Sequence, residues 1–357
     1  MLGVVPRSFR KIQLKLQSHA TILNYHRVAN LTSDPHLLSV SPEHFQAQIK
    51  HLAEKYHPVS LMDLIEIVRS RKKIPDNLVC VTFDDGYADN LWNAKPILEK
   101  FQVPATVFVT TGYVDSEREF WGDDLERIIL LPETIPDTLD LRIMGNNYHW
   151  DLKESTLLKK EYSNNNNKKL TTYNPLDYAG WDVTQCSFPS PRHRIYNDLH
   201  RLLKPLENPE QDTLMGILCN WAGVPETGRP DHRALNQDEI RMLNHGGIID
   251  IGSHTVSHPS LKQNSSVIQK DEILNSKKYL ENVLKHEITS FSYPFGGRED
   301  FSQITEMIVK NAGYQLACAN YSDPVTLRTN PFALPRYLVR NWNNDQFAKK
   351  MSEWSNG

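Results

Sequence analysis

The chain has little of what ties a protein to a bilayer, a polyanion or a disulfide framework. Its 357 residues include four cysteines, Cys80, Cys186, Cys219 and Cys318, scattered and with no Cys-x-x-Cys spacing. They read as free thiols of a reducing compartment. No run approaches the roughly 20 apolar residues that span a bilayer. The apolar start at residues 1–6 is short, and Arg7, Arg10, Lys11 and Lys15 follow it rather than precede it, the wrong order for a secretory leader. A cytoplasmic location is therefore expected. The formal net charge of −3 argues against a nucleic-acid partner. A basic amphipathic helix over residues 8–19, with Phe9, Ile12, Leu14 and Leu16 on it, is the weaker reading of the N-terminus, so membrane-surface contact is not expected.

Two strings stand out. Phe83-Asp84-Asp85-Gly86 closes the apolar run 78–82 with two adjacent carboxylates, and His254-Thr255-Val256-Ser257-His258 follows the apolar run 248–252. Either string alone has an ordinary explanation: Asp and Gly suit a strand-to-turn exit, and a His-x-x-x-His spacing arises by chance in a chain with 14 His. Together they describe a metal site. A zinc-type ion takes His nitrogen and Asp oxygen, and a catalytic site supplies three protein ligands and leaves a place for water. Asp85, His254 and His258 fill those places, and Asp84 is left beside them as a general base. Both strings follow strand-like runs, and carboxyl ends of parallel strands are where α/β folds gather their active sites.

With Ser292-Tyr293-Pro294-Phe295-Gly296 added further along, the strings resemble, in order and spacing, the first three motifs of the polysaccharide deacetylases, the NodB-homology or carbohydrate esterase 4 family. The resemblance covers roughly residues 20–120 and 235–345. It implies a distorted or incomplete (β/α) barrel, Asp84 as catalytic base, Asp85, His254 and His258 as ligands of a divalent metal, usually zinc, and a backbone N–H near Tyr293 that helps hold the oxyanion.

Two features depart from the family pattern. The Arg that normally orients the base from the third motif is replaced, since Ser292 precedes Tyr293. Arg298 and Arg336 are the nearest candidates, and Arg336 is preferred because 332–334 reads as a short final strand that would deliver it to the same rim. The His that normally protonates the leaving amine from the last motif is missing from 334–342. The strand-like segment 20–28, however, contains His26 and resembles the first strand of the branch acting on poly-N-acetylglucosamine, so His26 is the expected general acid.

The remaining pattern alternates strand-like and helix-like segments. Helical periodicity over 42–56, 61–71, 89–101, 237–243, 270–284 and 303–311 separates strand-like runs at 78–83, 105–110, 248–252, 288–293 and 314–319. Residues 132–231 interrupt this series with the polar run 164–169, several Pro and a helical pattern over 194–204. They are expected to form an insertion or lid within a single catalytic domain covering 1–357. The expected activity is metal-dependent removal of N-acetyl groups from an amino sugar, glycan or lipid- or nucleotide-linked glycan precursor. The alternatives are a deformylase or O-acetyl esterase on the same scaffold, or a non-catalytic carbohydrate-binding relative; the last would have no need of Asp84.

Overall fold

A computed structural model describes residues 18–153 and 173–355. The expected N-terminal amphipathic helix and the Asn run 164–167 lie outside the described residues, apart from Ser18 and His19. The chain divides into two compact units. One contains the described residues up to Asn30, Leu38–Ser116 and those from Ala234 onward, and the other contains Leu31–Leu37 and Glu117–Arg233.

The first unit is built on parallel strands: β1 (Ala20–Tyr25), β2 (Leu78–Phe83), β3 (Ala105–Val109), β4 (Ile249–Ser253), β5 (Ser290–Ser292), β6 (Leu316–Cys318) and β7 (Tyr337–Leu338). Their order is β6-β5-β4-β3-β2-β1-β7, with the short strand His57–Pro58 also pairing β2. β1 and β2 are buried at every position, which is why they read as unbroken apolar runs rather than alternating ones. The sheet curls until its ends meet. Leu334 bridges Cys318 in parallel, with Leu334 N–H donating to Ala317 O at 2.9 Å and Ala319 N–H to Leu334 O at 2.8 Å, and Val339 N–H then reaches Asn24 O at 2.9 Å. The segment 334–339 is thus hydrogen-bonded to β6 on one side and β1 on the other, and the fold is a distorted (β/α) barrel.

Inside the curl, Ile22, Cys80, Phe108, Leu316, Cys318 and Leu334 pack with Leu64, Ile65 and Val68 of the helix Leu61–Ser70. That helix starts where it does because Ser60 and Asp63 form a reciprocal capping box. Gly252 in β4 makes room for this core: a Cβ there would stand 2.4 Å from Phe108 Cδ1. On the outer face, Leu23, Tyr25, Val81, Phe83 and Val107 pack against helices that include Pro42–Lys55 and Ser266–Leu284.

In the second unit are the helices Trp121–Ile129, Pro191–Leu203 and Asn208–Ala222, with the antiparallel hairpin Thr138–Ile143/Asn146–Asp151. Arg229 ties one end of this segment to the other, donating to Glu119 Oε2 at 2.7 Å and to Glu126 Oε2 at 3.0 Å. Cys80, Cys219 and Cys318 are buried, Cys186 is exposed, and none of the four is disulfide-bonded. Among the described residues no helix is long and apolar enough to cross a membrane.

Candidate active site

Strand register brings the motif residues to one rim. Tyr25, Phe83, Val107 and Ile251 are successive cross-strand partners, so His26 after β1, Asp84 and Asp85 after β2, and His254 after β4 leave the barrel at the same end. Asp84 N–H pairs with Tyr25 O at 3.0 Å, extending the β1–β2 ladder by one step. The next residues turn sharply: Asp85 has φ 74° and Gly86 φ 79°. A Cβ on Gly86 would press on Val109 at 3.1 Å. Thr255 (φ 68°) and His258 (φ 61°) also hold left-handed backbone, unusual for any non-glycine residue and more so for a β-branched one. Such strain persists where surrounding structure over-determines it. Thr111 N–H to Thr255 O at 3.0 Å and His254 N–H to Val109 O at 3.0 Å supply part of that.

Asp85, His254 and His258 each offer a ligand atom, all within 4.8 Å of one another. The Nε2 atoms of His254 and His258 stand 3.5 and 3.4 Å from Asp85 Oδ1. Tetrahedral ligands at the usual 2.0–2.2 Å from zinc are about 3.4 Å apart. Asp85 Oδ1 is buried and has no hydrogen-bond partner among the described residues, a costly arrangement that a cation at this point would relieve. His254 Nδ1 faces Ser292 O at 2.8 Å, which fixes the tautomer that leaves Nε2 as a ligand atom. The donor set therefore fits a divalent metal. Burial alone would push the Asp85 carboxyl up, but the two imidazoles hold it below its ordinary value. Burial dominates at His258, pulling it down to about 4, whereas at His254 the Asp84 and Asp85 carboxylates outweigh burial and raise it.

Behind this group sits an ion pair. Arg336 is fully buried, and its Nη1 and Nη2 fork onto Asp84 Oδ1 at 2.8 Å and Oδ2 at 2.6 Å. The other guanidinium contacts are satisfied too: Nε to Ala319 O (2.8 Å), Nη1 to Thr82 Oγ1 (3.1 Å) and Asn24 Oδ1 (3.2 Å), and Nη2 to Ser292 Oγ (2.9 Å). Asn24 Nδ2 adds a third bond to Asp84 at 3.0 Å. Burial raises the Asp84 carboxyl, yet Arg336, followed by His254, holds it well below the usual carboxylate range. Asp84 is thus a fixed, ionised carboxylate beside the metal group. The short strand expected at 332–334 does not form as such. Only Leu334 bridges β6, and the strand begins after Pro335, which cannot donate to a ladder. Arg298 is elsewhere, its guanidinium 3.9 Å from the Tyr321 ring centroid.

His26 is buried, and its Nδ1 has no hydrogen-bond partner among the described residues. Burial lowers its pKa against the pull of Asp85 and Asp84. Its carbonyl accepts from Asn90 Nδ2 at 2.9 Å, at the start of a π-helical turn, Asn90–Ala94, that precedes the helix Lys95–Phe101.

Tyr293 does not match its expected part. Its own N–H donates to Cys318 O at 3.1 Å, continuing the β5–β6 ladder, and its hydroxyl donates to Phe332 O at 2.9 Å. Neither donor is spare for an oxyanion, and Pro294 beside it has no N–H. The ring packs flat on Phe301 at 4.1 Å, a core role. Sequence reading also missed Asn24, Thr82 and Ser292. For Asn24 and Thr82 the signal was there: a polar residue near the carboxyl end of a largely apolar strand; the strand of Ser292, Ser-Phe-Ser, carries no such contrast.

The family model for polysaccharide deacetylases matches residues 71–149 and 221–317. The chain belongs to the polysaccharide deacetylase family. The poly-beta-1,6-N-acetyl-D-glucosamine N-deacetylase of Staphylococcus aureus strain MRSA252 is 31% identical over 175 residues, 45% of this chain and 56% of that one, so the match spans little more than half of the relative's length. A protein of the same name from Escherichia coli K12 is 33% identical over 107 residues, 29% of this chain and 16% of the relative. Among solved structures, the Streptococcus pyogenes deacetylase PplD in complex with acetate aligns with a TM-score of 0.57 at 16% identity, over 94% of this chain and 99% of that one. IcaB from Ammonifex degensii aligns with a TM-score of 0.55 at 15% identity, over 95% and 98%. These two establish the likeness of fold between this polysaccharide deacetylase and its structural neighbours.

Proposed function

We propose that this polysaccharide deacetylase removes acetyl groups from the amines of an N-acetylated sugar polymer, with poly-N-acetylglucosamine as the first substrate to test and lipid- or nucleotide-linked glycan precursors as the next. The observation that carries the reading is the pairing of two adjacent carboxylates with different partners: Asp85 faces two imidazoles, while Asp84 is locked by a buried arginine. A metal site alone would need only the first. The region 132–231 is taken as an insertion in the sequence of this one catalytic domain.

Asp85, His254 and His258 would hold the divalent ion, with zinc the best match to two nitrogens and an oxygen. When bound, such an ion lowers the pKa of water and polarises a carbonyl. Asp84, kept ionised by Arg336 and His254 and held in place by Asn24, accepts a proton from the attacking water as its oxygen adds to the acetamide carbon. His26 delivers a proton to the nitrogen as the C–N bond breaks, giving acetate and a free amine. The proton Asp84 took from the water then passes to His26, so that both groups end the cycle as they began. Holding Asp84 at a fixed angle is a positioning contribution, and its oriented carboxylate costs nothing to reorganise during the step.

The test is acetate release from β-1,6-linked N-acetylglucosamine oligomers by zinc-reconstituted protein, beside N-formyl and O-acetyl analogues and the Asp84→Asn variant. Amide turnover that disappears in Asp84→Asn supports the reading. Turnover of the ester or formyl analogue alone would move the assignment to those reactions, and no turnover of any substrate would leave a carbohydrate-binding protein.

A further inference from the structure

The loop between the two histidines is held from outside the site by a residue on another element. Glu272, in the first half of the helix Ser266–Leu284, accepts Val256 N–H on Oε2 at 2.8 Å and Ser257 N–H on the same oxygen at 2.9 Å, and Ser257 Oγ donates to its Oε1 at 2.8 Å. Two successive backbone N–H groups turned to one side form a small anion-binding concavity, and the Glu272 carboxylate fills it. The left-handed residues Thr255 and His258 flank this pair. From the opposite side, Thr111 N–H donates to Thr255 O at 3.0 Å and Gly112 N–H to Val256 O at 2.7 Å. The approach at Gly112 is so close that a Cβ there would stand 2.5 Å from Val256 O. The loop is therefore clamped between the exit of β3 and one carboxylate.

We propose that Glu272 is a positioning residue for the metal: it keeps the 254–258 loop in the strained form that turns both imidazoles onto Asp85. This rests on the reading of Asp85, His254 and His258 as metal ligands. Without Glu272, Val256 and Ser257 N–H lose their acceptor and Thr255 and His258 are drawn toward ordinary backbone angles. His258 then leaves the point it shares with His254. The cost should appear when the ion binds, because binding has to restore the strained loop, and much less in the metal-free fold.

The experiment uses the full chain and zinc. Zinc affinity is measured by chelator competition for wild type, Glu272→Ala, Glu272→Gln, Ser257→Ala and His258→Ala, with melting curves of each metal-free form. Glu272→Ala should weaken zinc binding by about 10–100-fold, the range usual for outer-shell partners of metal ligands. Glu272→Gln, which keeps an acceptor but not the charge, should fall between it and wild type, and Ser257→Ala should lose least. The metal-free melting temperatures should stay close together. Unchanged zinc affinity in Glu272→Ala and Glu272→Gln, with His258→Ala unable to bind, would overturn the proposal and leave the metal site intact. Unchanged affinity in His258→Ala would instead show that the ligand reading itself is wrong, and this proposal would go with it. Should Glu272→Ala not fold, Glu272→Gln and Ser257→Ala carry the comparison.

Discussion

Replacing Arg336 by Met should destabilise the protein in a manner that depends on pH. The fork onto Asp84 at 2.8 and 2.6 Å is wholly buried. The charge centres of such a fork lie about 4 Å apart and interact by about 4 kcal/mol at an effective dielectric near 20, and removing one partner of a buried pair typically costs about 3–5 kcal/mol because the other charge is stranded. In the wild type the folded-state pKa of Asp84 is depressed below its unfolded value of about 3.9. Its contribution is therefore fully present above that value and is lost as pH falls through the folded pKa. In Arg336→Met the burial is largely unopposed and the folded pKa lies above about 3.9, so the penalty is absent at low pH and grows as pH rises through the folded value. The stability gap between the two proteins should be about 3–5 kcal/mol at pH 7 and shrink to roughly half or less by pH 4. Urea unfolding of both metal-free proteins at the two pH values measures it. A gap below about 1 kcal/mol at pH 7, the size of an exposed pair, or one that does not change with pH, would refute the assignment of Asp84 as a charge held ionised by Arg336.

His254→Ala and His258→Ala should each lose bound zinc and turnover together while keeping the far-UV circular dichroism of the wild type, since the ligands lie at a rim; elemental analysis after dialysis checks this. Chelating the metal should lower the stability of wild type by about 2.7 kcal/mol when free zinc had been 100-fold above its dissociation constant, and should leave His258→Ala unaffected in a calorimetric scan. His26→Ala should cut turnover of an amide by about 10²–10⁴-fold, with a much smaller loss on an activated ester whose leaving group needs no proton; equal losses on both would make His26 structural. Gly252→Ala places a Cβ 2.4 Å from the Phe108 ring and 2.6 Å from Ser290 Oγ, and the overpacking should cost about 1–3 kcal/mol, read as a lower melting temperature.

The barrel was legible because its strands are buried on both faces. The run 78–83 and the helical pattern 303–311 appear with the expected limits, and the fold class followed from their alternation. The meeting of Asp85, His254 and His258 was legible as well, through local strings. What the sequence hid depends on closure. Asn24 reaches Asp84 across 60 positions, and no periodicity announces it; Arg336 was expected at this rim, but it arrives across 252 positions through a single bridge at Leu334 rather than the expected strand. Glu272 acts on a loop 15 and 16 positions earlier through backbone donors, which leave no trace in side-chain patterns. The hairpin Thr138–Ile143/Asn146–Asp151 was overlooked for a different reason. Its alternation of buried Leu139, Leu141 and Ile143 with exposed neighbours, turned at Met144-Gly145, is a plain hairpin signal inside a segment read as an insertion.

The segment 334–339, hydrogen-bonded to both β6 and β1, bears on when this protein can first act. Arg336 orients a carboxylate 252 positions before it in the sequence, so the contact with the largest stake in the site is also among the slowest kinds to form, a pairing of elements far apart along the chain. A growing polypeptide would carry Asp84, Asp85 and both histidines long before it carries the residue that restrains Asp84. Until that last stave is laid between the first strand and the sixth, the barrel is an open trough and Asp84 lacks its guanidinium partner. The carboxylate is therefore restrained only once the barrel has closed.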